Sequence, residues 1–228
     1  MNVLTCLEQH GRLDHFDMIQ PLKMQSARTI LADEEGVLLL LQEEVYVLSV
    51  FESTATQRFA SYLVGCTNPF SVHQSFVSEY LEDQGMKKTF RCLQACCLHQ
   101  ERYQVSKDVE FRILSLADED VVLEHYHLGD AAYVRSRLAD NVMLGIEVEG
   151  KLAGFMGTHQ EGTLGMLEIF PNYRRRHLGY ELEKEYCNRL LDEHKVPYCH
   201  IVEDNAASVA LHQKLGFAFA SHRIDWFN

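Results

Sequence analysis

The sequence predicts a mixed α/β protein of 228 residues in which helices pack on a sheet of mixed strand direction. Short apolar runs typical of strands alternate with segments of helical period, which indicates at least one crossover connection. A hydrophobic fraction of 46% and only 4 Pro exclude collagenous and disordered chains. Apolar runs such as residues 36–41 are far shorter than the roughly 20 residues of a membrane-spanning helix, so we expect no membrane segment.

The first half, residues 1–107, is predicted to be an α/β domain without a recognisable catalytic motif. The pattern predicts strands over 36–41, 46–51 and 90–98, and helices over 55–63 and 72–81. A polar segment, residues 100–108, is the predicted linker. We therefore expect one domain over 1–107 and another over 108–228.

The second half, residues 108–228, alternates more regularly. Its predicted order is a strand, two helices, three strands, a helix, a strand, a helix and a strand. The strands cover 111–116, 142–148, 151–157, 164–170, 198–202 and 217–226, and the helices follow Asp118 and cover 131–138, 178–196 and 206–215. This order predicts a mixed sheet.

The charge balance argues against nucleic-acid binding. The chain carries 21 basic and 33 acidic side chains, a net charge of −12, whereas nonspecific nucleic-acid affinity depends on Lys and Arg. Arg174, Arg175 and Arg176 stand consecutively against this trend. If the chain binds a phosphate, this is the predicted place.

The cysteines and histidines suggest no disulfide framework and no metal. The 7 Cys have no repeated spacing, and residues 1–13 lack a basic start followed by an apolar stretch, so we expect the cytoplasm. Cys96 and Cys97 are either a redox pair or the core of a strand. The paired histidines, His10 with His15 and His125 with His127, have no Cys or carboxylate partners at ligand spacing, so no metal is expected.

The connection from residue 169 to residue 179 joins a predicted strand to a predicted helix. A helix start presents unpaired N–H groups and the positive end of the helix dipole, which together can bind a pyrophosphate. The three arginines add positive charge. An anion site is one interpretation, and an ordinary solvated turn is the other.

Two motifs of the second half form a recognisable pair. The first is Ile-x-Pro-x-Tyr-Arg-x-x-His-x-Gly, ending at Gly179, and the second runs from Asn205 to the Leu-Gly-Phe at residues 215–217. In this order they resemble the motifs of the GNAT superfamily of acyl-CoA-dependent N-acyltransferases. The resemblance covers about residues 108–228 and implies a GNAT-like fold there. The Trp226-Phe ending is also similar to the glycine N-acyltransferase-like branch, whose members carry an extra N-terminal half. That half is here either a degenerate copy of the same fold or a lid over the acceptor site.

The resemblance implies a binding site for acetyl-CoA as cosubstrate. Backbone groups of Glu168, Ile169 and Phe170 would pair with the pantetheine arm. The pyrophosphate would be bound by the basic loop and the helix start, which comprise Arg174, Arg175, Arg176, His177, Leu178, Gly179 and Tyr180. Asn205 and Ser208 would contribute from the second motif, although both also fit helix capping.

Two positions depart from the family pattern. His177 stands where the motif has its first glycine, and His212 stands where the motif has a tyrosine. A histidine can protonate the leaving thiolate, so His212 is either the catalytic acid or an ordinary half-buried histidine.

Glu168 is the candidate general base, because this carboxylate lies in an apolar strand directly before the loop. The alternative is that Glu168 points outward or pairs with a loop arginine. Glu161, His200 and Glu203 are reserve candidates.

The sequence thus predicts a cytoplasmic N-acetyltransferase that acts on an amine of a small molecule or peptide by direct attack in a ternary complex. We expect no nucleic-acid or membrane partner and either a monomer or a homodimer. The alternative function is a noncatalytic, acyl-CoA-binding regulatory module.

Overall fold

The structure is a computed structural model that describes residues 2–228. Eight α-helices occur in these residues. They are α1 (Val3–Gln9), α2 (Phe16–Lys23), α3 (Thr56–Ala60), α4 (Ser75–Asp83), α5 (Glu119–His125), α6 (Ala131–Ala139), α7 (Leu178–Asp192) and α8 (Ala206–Lys214). Short 3₁₀ turns precede α3 and α5 and lead into the loop before α7.

Eleven β-strands occur in the same residues. They are β1 (Ala27–Asp33), β2 (Gly36–Leu41), β3 (Val45–Val50), β4 (Phe70–Val72), β5 (Lys88–Cys96), β6 (Glu110–Ile113), β7 (Met143–Val148), β8 (Lys151–Thr158), β9 (Leu164–Ile169), β10 (Tyr198–Val202) and β11 (Ala218–Phe227). The predicted mixed α/β fold class is confirmed.

The order of elements repeats along the chain. The first half runs two helices, three strands, helix, strand, helix, strand, from α1 to β5. The second half has the same order from α5 to β11, preceded by the additional strand β6. This repetition favours a degenerate copy over a lid as the interpretation of the N-terminal half.

The second-half order predicted from the sequence is confirmed, but the first half needs corrections. The predicted helix over 72–81 is wrong at its start, because Phe70–Val72 forms β4 and α4 begins only at Ser75. The predicted helix over 55–63 shortens to Thr56–Ala60. The elements α1, α2 and β1 were not predicted, since their apolar residues follow neither period clearly. Cys96 and Cys97 are buried, as their interpretation as core residues requires.

The described chain divides into two compact units. Unit one comprises residues 2–96 and 198–228, and unit two comprises residues 97–197. These units are defined by spatial contacts, so they are a different division from the predicted sequence domains 1–107 and 108–228, which stay a prediction.

Unit one contains strands in the order β1-β2-β3-β4-β11-β5-β10. Strand β4 pairs parallel to β3, and the other pairings are antiparallel. The last strand of the second repeat, β11, therefore lies between β4 and β5 of the first repeat, and β10 pairs with the other edge of β5. The two repeats exchange strands within this unit.

Both faces of the unit-one sheet are covered, which explains the uninterrupted apolar sequence of β2, whose six residues are all buried. Leu38 lies in a core cluster with residues of α3 and α4, whereas Leu39 lies in a second cluster with residues of α1 and α2. Phe227 of β11 is fully buried in the first cluster and stacks on Phe70 with ring centroids 5.1 Å apart.

Unit two is built on the antiparallel strands β9-β8-β7-β6. A core cluster that includes Val122 of α5, Val134 of α6 and Phe155 of β8 packs the helices on the strands. On α7, Leu178, Leu182 and Tyr186 follow a helical period and are buried, so this apolar stripe of the helix faces inward. No helix within residues 2–228 combines the length and the apolar character needed to cross a membrane.

The strand exchange predicts that the segment 108–228 is unstable alone. Without residues 1–107, β10 and β11 lose β5, which separates and pairs with both of them. We expect the isolated segment to lack a cooperative thermal transition measured by circular dichroism, and co-expression with 1–107 to restore it. A sharp transition of the segment alone would contradict the importance of the exchange.

A buried histidine near the start of α2 makes unit one sensitive to acid. The Nε2 atom of His15 lies 2.9 Å from the Ser49 hydroxyl, and only 2% of the residue is exposed. Burial, followed by the neighbouring His73, lowers the pKa of His15 to about 4. The unfolded chain, with a histidine pKa of about 6.5, therefore takes up this proton first.

We expect the free energy of unfolding to fall as pH drops from about 6.5 to about 4, by about 3 kcal/mol from His15 alone. His15→Asn should flatten this part of the stability curve, measured by urea unfolding at successive pH values. Ser49→Ala, which keeps the buried imidazole, should lower stability but retain the slope. Parallel curves for the wild type and His15→Asn would refute this origin of acid sensitivity.

Candidate functional site

A β-bulge shapes the strand that leads into the loop. Between Gly165 and Glu168, β9 has one residue more than the facing segment of β8, and Met166 within it takes a positive φ of 54°. Opposite the bulge, a Cβ atom on Gly154 would lie 2.4 Å from the Glu168 carbonyl oxygen. Glycine at position 154 therefore permits the close approach of β8 to β9.

The Glu168 side chain is 36% exposed, and its Oε2 atom lies 3.8 Å from Nη2 of Arg174. Arg174 also donates from Nε to the Ile169 carbonyl oxygen at 2.8 Å. The structure therefore shows the arrangement that the sequence left open as the alternative, a partly exposed carboxylate beside a loop arginine. The role of Glu168 as a base stays a prediction.

The backbone of the strand end is partly engaged within unit two. Phe170 donates its N–H to the Ala153 carbonyl oxygen at 2.9 Å. The Ile169 carbonyl oxygen accepts a hydrogen bond from the exposed guanidinium of Arg174, a contact that a ligand can replace. Of the predicted pantetheine contacts, Ile169 is thus better placed than Phe170 to offer a backbone group to a ligand.

The loop before α7 has the geometry of an anion site. A 3₁₀ turn over Pro171–Tyr173 is followed by two residues in the left-handed region, Arg175 with φ 61° and His177 with φ 60°. The first i→i−4 bond of α7 runs from Glu181 N to His177 O at 3.1 Å, so the N–H groups of Leu178 and Gly179 lie in the first turn, where the helix itself supplies no acceptor. Such N–H groups and the helix dipole favour an anion.

The three arginines of the loop are all exposed. Arg174 donates to the Ile169 carbonyl oxygen. The Arg176 guanidinium lies 5.8 Å from the ring centroid of Tyr173. The equivalent connection of the first repeat, residues 51–55, contains Glu52 and no arginine. The positive charge that suits a pyrophosphate therefore occurs in the second repeat.

The departure at His177 has a backbone explanation. This residue is the N-cap of α7 in a left-handed conformation, and its side chain makes no capping hydrogen bond. Glycine adopts this conformation without strain, which is why a glycine suits the position and a histidine is less favourable there by about 1 kcal/mol.

Gly179 lies in the first turn of α7. A Cβ atom there would meet Ile169 Cγ1 at 3.6 Å and Leu167 Cδ2 at 3.8 Å, which are ordinary contacts. Packing in unit two does not require glycine at this position. Its absent side chain keeps the N–H groups of the first turn accessible to a ligand.

The second motif lies in unit one. Asn205 is the N-cap of α8, and its Oδ1 accepts a hydrogen bond from Ser208 N at 3.0 Å. The capping interpretation of Asn205 is therefore confirmed, and this role leaves a binding role open.

His212 is a buried residue of α8, with 5% exposure. Its Nδ1 atom lies 2.7 Å from the Ser208 carbonyl oxygen, which can only accept, so Nδ1 carries a hydrogen. The ring also packs edge-on against Phe217 at 4.9 Å. Neutral His212 thus has its lone pair on Nε2, and Nε2 can donate a proton only from the imidazolium form.

The structure also brings together residues that the sequence did not group. In unit two, the Tyr133 hydroxyl lies 2.5 Å from His159 Nδ1, and His125 stacks on Phe170 at 4.0 Å. Burial, with the negative charges of Glu161 and Glu168 adding to it, raises the pKa of Tyr126 to about 12. Only the pairing of β8 with β9 and the packing of α5 and α6 create this group, so no local sequence signal marked it.

The reserve candidates have different surroundings. Glu161 accepts a hydrogen bond from the Thr163 hydroxyl at 2.5 Å, and Glu203 is bound by Arg223 at 2.8 Å on an exposed surface. His200 is bound by Gln94 and Trp226. Within residues 2–228, no group of three or more His, Cys, Asp or Glu side chains is arranged to hold a metal ion.

A comparison with known protein families gives a match, which lies in the second half of the chain. Residues 109–217 match the family model described as the acetyltransferase (GNAT) family. That part of the chain belongs to the GNAT superfamily, whose members are acyltransferases that use an acyl-CoA cosubstrate and an amine acceptor. A search of curated protein sequences finds no match.

Solved structures share the fold over nearly the whole chain. A Drosophila protein is 16% identical with a TM-score of 0.70, covering 98% of this chain and 93% of that one. A GCN5-related N-acetyltransferase from Kribbella flavida is 12% identical with a TM-score of 0.61, covering 95% of each chain. A tandem GNAT protein from the clavulanic acid biosynthesis pathway is 14% identical with a TM-score of 0.51, covering 98% and 91%. At these identities the similarity concerns the fold alone.

Proposed function

We propose that the chain is an N-acetyltransferase that moves an acetyl group from acetyl-CoA to an amine of a small molecule or peptide. The observation that carries the proposal is the loop before α7, where exposed arginines, left-handed residues and an unpaired helix start coincide. These are the features that bind a pyrophosphate.

Acetyl-CoA supplies an activated thioester. The residues proposed to hold it are the N–H groups from Arg175 to Tyr180 for the pyrophosphate and the backbone around Ile169 for the pantetheine arm. Gly179 keeps the first turn of α7 accessible, and the arginines add charge. Asn205 and Ser208 are proposed to contribute from the second motif while Asn205 caps α8.

The reaction requires two proton transfers. In this proposal Glu168 accepts the proton that the attacking amine loses, and the imidazolium of His212 gives its Nε2 proton to the departing thiolate. The hydrogen bond from His212 Nδ1 to the Ser208 carbonyl supports this role, because the carbonyl fixes the ring orientation and stabilises the N–H of the cation.

The alternative is a noncatalytic, acyl-CoA-binding regulatory module. The observation that favours it is the presence of His177 and His212 where the family pattern has glycine and tyrosine. Free thiol release from acetyl-CoA with a panel of amines separates the two functions. Binding without thiol release would support the module.

Our proposal also covers the amine acceptor, the cellular location, the assembly and the branch of the superfamily. The acidic groups near α5 and α6, among them Asp120, Glu124 and Asp130, suit a cationic amine. We propose the cytoplasm as the location, a monomer or homodimer as the assembly, and the glycine N-acyltransferase-like branch as the nearest part of the superfamily.

Gly179→Ala should separate ligand binding from stability. Alanine meets only ordinary contacts at this site and favours a helix over glycine by about 1 kcal/mol, so the melting temperature should stay equal or rise. The added Cβ should weaken acetyl-CoA binding about 10-fold by calorimetry. Arg175→Gln should also weaken binding, whereas Arg135→Gln, which removes an exposed arginine paired with Glu119, should not. Equal affinity in all variants would place the binding site elsewhere.

Glu168→Gln should lower kcat by about 100-fold, the usual contribution of a general base. His212→Ala should also lower kcat, because it removes the proposed proton donor. Thiol release from pH 6 to 9 is the measurement, and Glu203→Gln is the control because Glu203 forms a surface ion pair. Unchanged turnover in both variants would overturn the assignments.

A further inference from the structure

Unit one contains a buried polar cluster that the proposed reaction does not use. Asp17 of α2 is fully buried. Its Oδ2 atom lies 3.1 Å from Nε2 of His73, next to β4, and 3.6 Å from Nε2 of His200 on β10. The His73 side chain is also fully buried. A carboxylate in such a place needs a compensating positive charge.

His200 cannot supply that charge, because its neighbours fix a neutral tautomer. Gln94 donates its amide nitrogen to the carbonyl oxygens of Leu13 and Asp14 at 2.8 and 3.2 Å, so its Oε1 faces His200 Nε2 at 3.1 Å. Nε2 therefore carries a hydrogen. The indole N–H of Trp226 donates to His200 Nδ1 at 3.1 Å, so Nδ1 carries none.

His15 is fixed in the other neutral tautomer. Its Nδ1 lies 3.0 Å from the Gly11 carbonyl oxygen and therefore carries a hydrogen. Gln74 accepts from Val50 N through Oε1, so its amide nitrogen donates to the Ser49 hydroxyl at 2.8 Å. The Ser49 hydrogen is then free to donate to His15 Nε2 at 2.9 Å. His15 is stacked on His73 with ring centroids 5.1 Å apart.

His73 is the remaining candidate for the positive charge: its Nε2 atom faces Asp17, and its buried Nδ1 atom has no hydrogen-bond partner among the described residues. We propose that His73 is an imidazolium paired with the Asp17 carboxylate, and that this pair, flanked by neutral His15 and His200, forms a pH-sensitive latch that holds α2, β4, β10 and β11 together. The lowered pKa values of His15 and Asp17 agree with a neutral His15 and an ionised Asp17. Burial acts to raise the pKa of Asp17, but the neighbouring His73 outweighs it, so the pKa lies below its ordinary value.

Only one protonation state of the latch keeps all of these contacts. A proton added to His15 places a second cation beside His73, and a proton added to His200 removes the acceptor of the Trp226 N–H. A proton lost from His73 leaves the buried Asp17 charge without compensation. Acid and alkali therefore both open the latch.

An open cavity of about 400 Å³ has His73 among its lining residues, although the His73 side chain itself is fully buried. The other titratable or charged groups around this cavity are Arg91, His222, Arg223 and Asp225. Asp14 faces the cluster from the turn before α2, where it accepts hydrogen bonds from the backbone N–H groups of Ser221 and His222. Because β10 and β11 flank α8 in sequence, the latch supports the strands that carry the Asn205 motif.

The test is ¹⁵N NMR of the histidine rings in the full-length protein at pH 7. We expect the imidazolium pattern for His73, the neutral Nδ1–H pattern for His15 and the neutral Nε2–H pattern for His200. A neutral pattern for His73 would overturn the proposal, because Asp17 and His73 would then form an uncharged pair. This measurement needs no variant, so it decides the question even if every variant fails to fold.

Variants test the contribution of the pair. Asp17→Asn should turn His73 neutral at pH 7 and lower the melting temperature by at least about 6 °C. Asp17→Asn/His73→Gln, which removes both charges, should recover part of that loss. Asp14→Asn is the matched control, because its amide oxygen can still accept from Ser221 and His222, and His73 should stay an imidazolium in it. An imidazolium at His73 in Asp17→Asn would refute the pairing.

Discussion

The pairing of β5 with β10 and β11 is the constraint on which unit one depends. The N–H and C=O groups of β5 are satisfied on one edge by β11 and on the other by β10, and a buried strand cannot leave them unpaired. Asp225 on β11 reinforces the exchange, since it accepts from the Ser78 hydroxyl at 2.6 Å and from Arg91 Nε at 2.9 Å. The sheet of the first repeat is thus completed by strands that belong to the second.

The strand exchange leaves the two repeats free to differ in their connections. In the first repeat, the connection between β3 and α3 is short and contains one charged residue, Glu52, and Gln74 accepts a hydrogen bond from the N–H of Val50 at the end of β3. In the second repeat, the equivalent residues between β9 and α7 carry the arginines and the left-handed turn. The shared architecture therefore provides stability in both repeats, whereas the anion-binding features occur in one connection.

The second half could be predicted well because its signals are local. The hairpin turn at Glu149 and Gly150, the stripe on α7 and the N-cap Asn205 each depend on residues close in sequence. The elements α1, α2 and β1 were missed, because their structure depends on packing against distant strands. The motif positions of the loop could be read from sequence, but the exposure of Glu168 and the contact of Tyr133 with His159 follow from strand register, which the sequence does not reveal.

The exchanged strand also has a consequence for protein synthesis. The ribosome must add residues 97–217 after β5 before it makes β11, the strand that separates β4 from β5. During that interval the first repeat has its core helices but an open gap in its sheet, with unpaired edges on both sides. Such edges can pair with other chains, so cotranslational protection by a chaperone matters more for this topology than for two repeats that each close their own sheet.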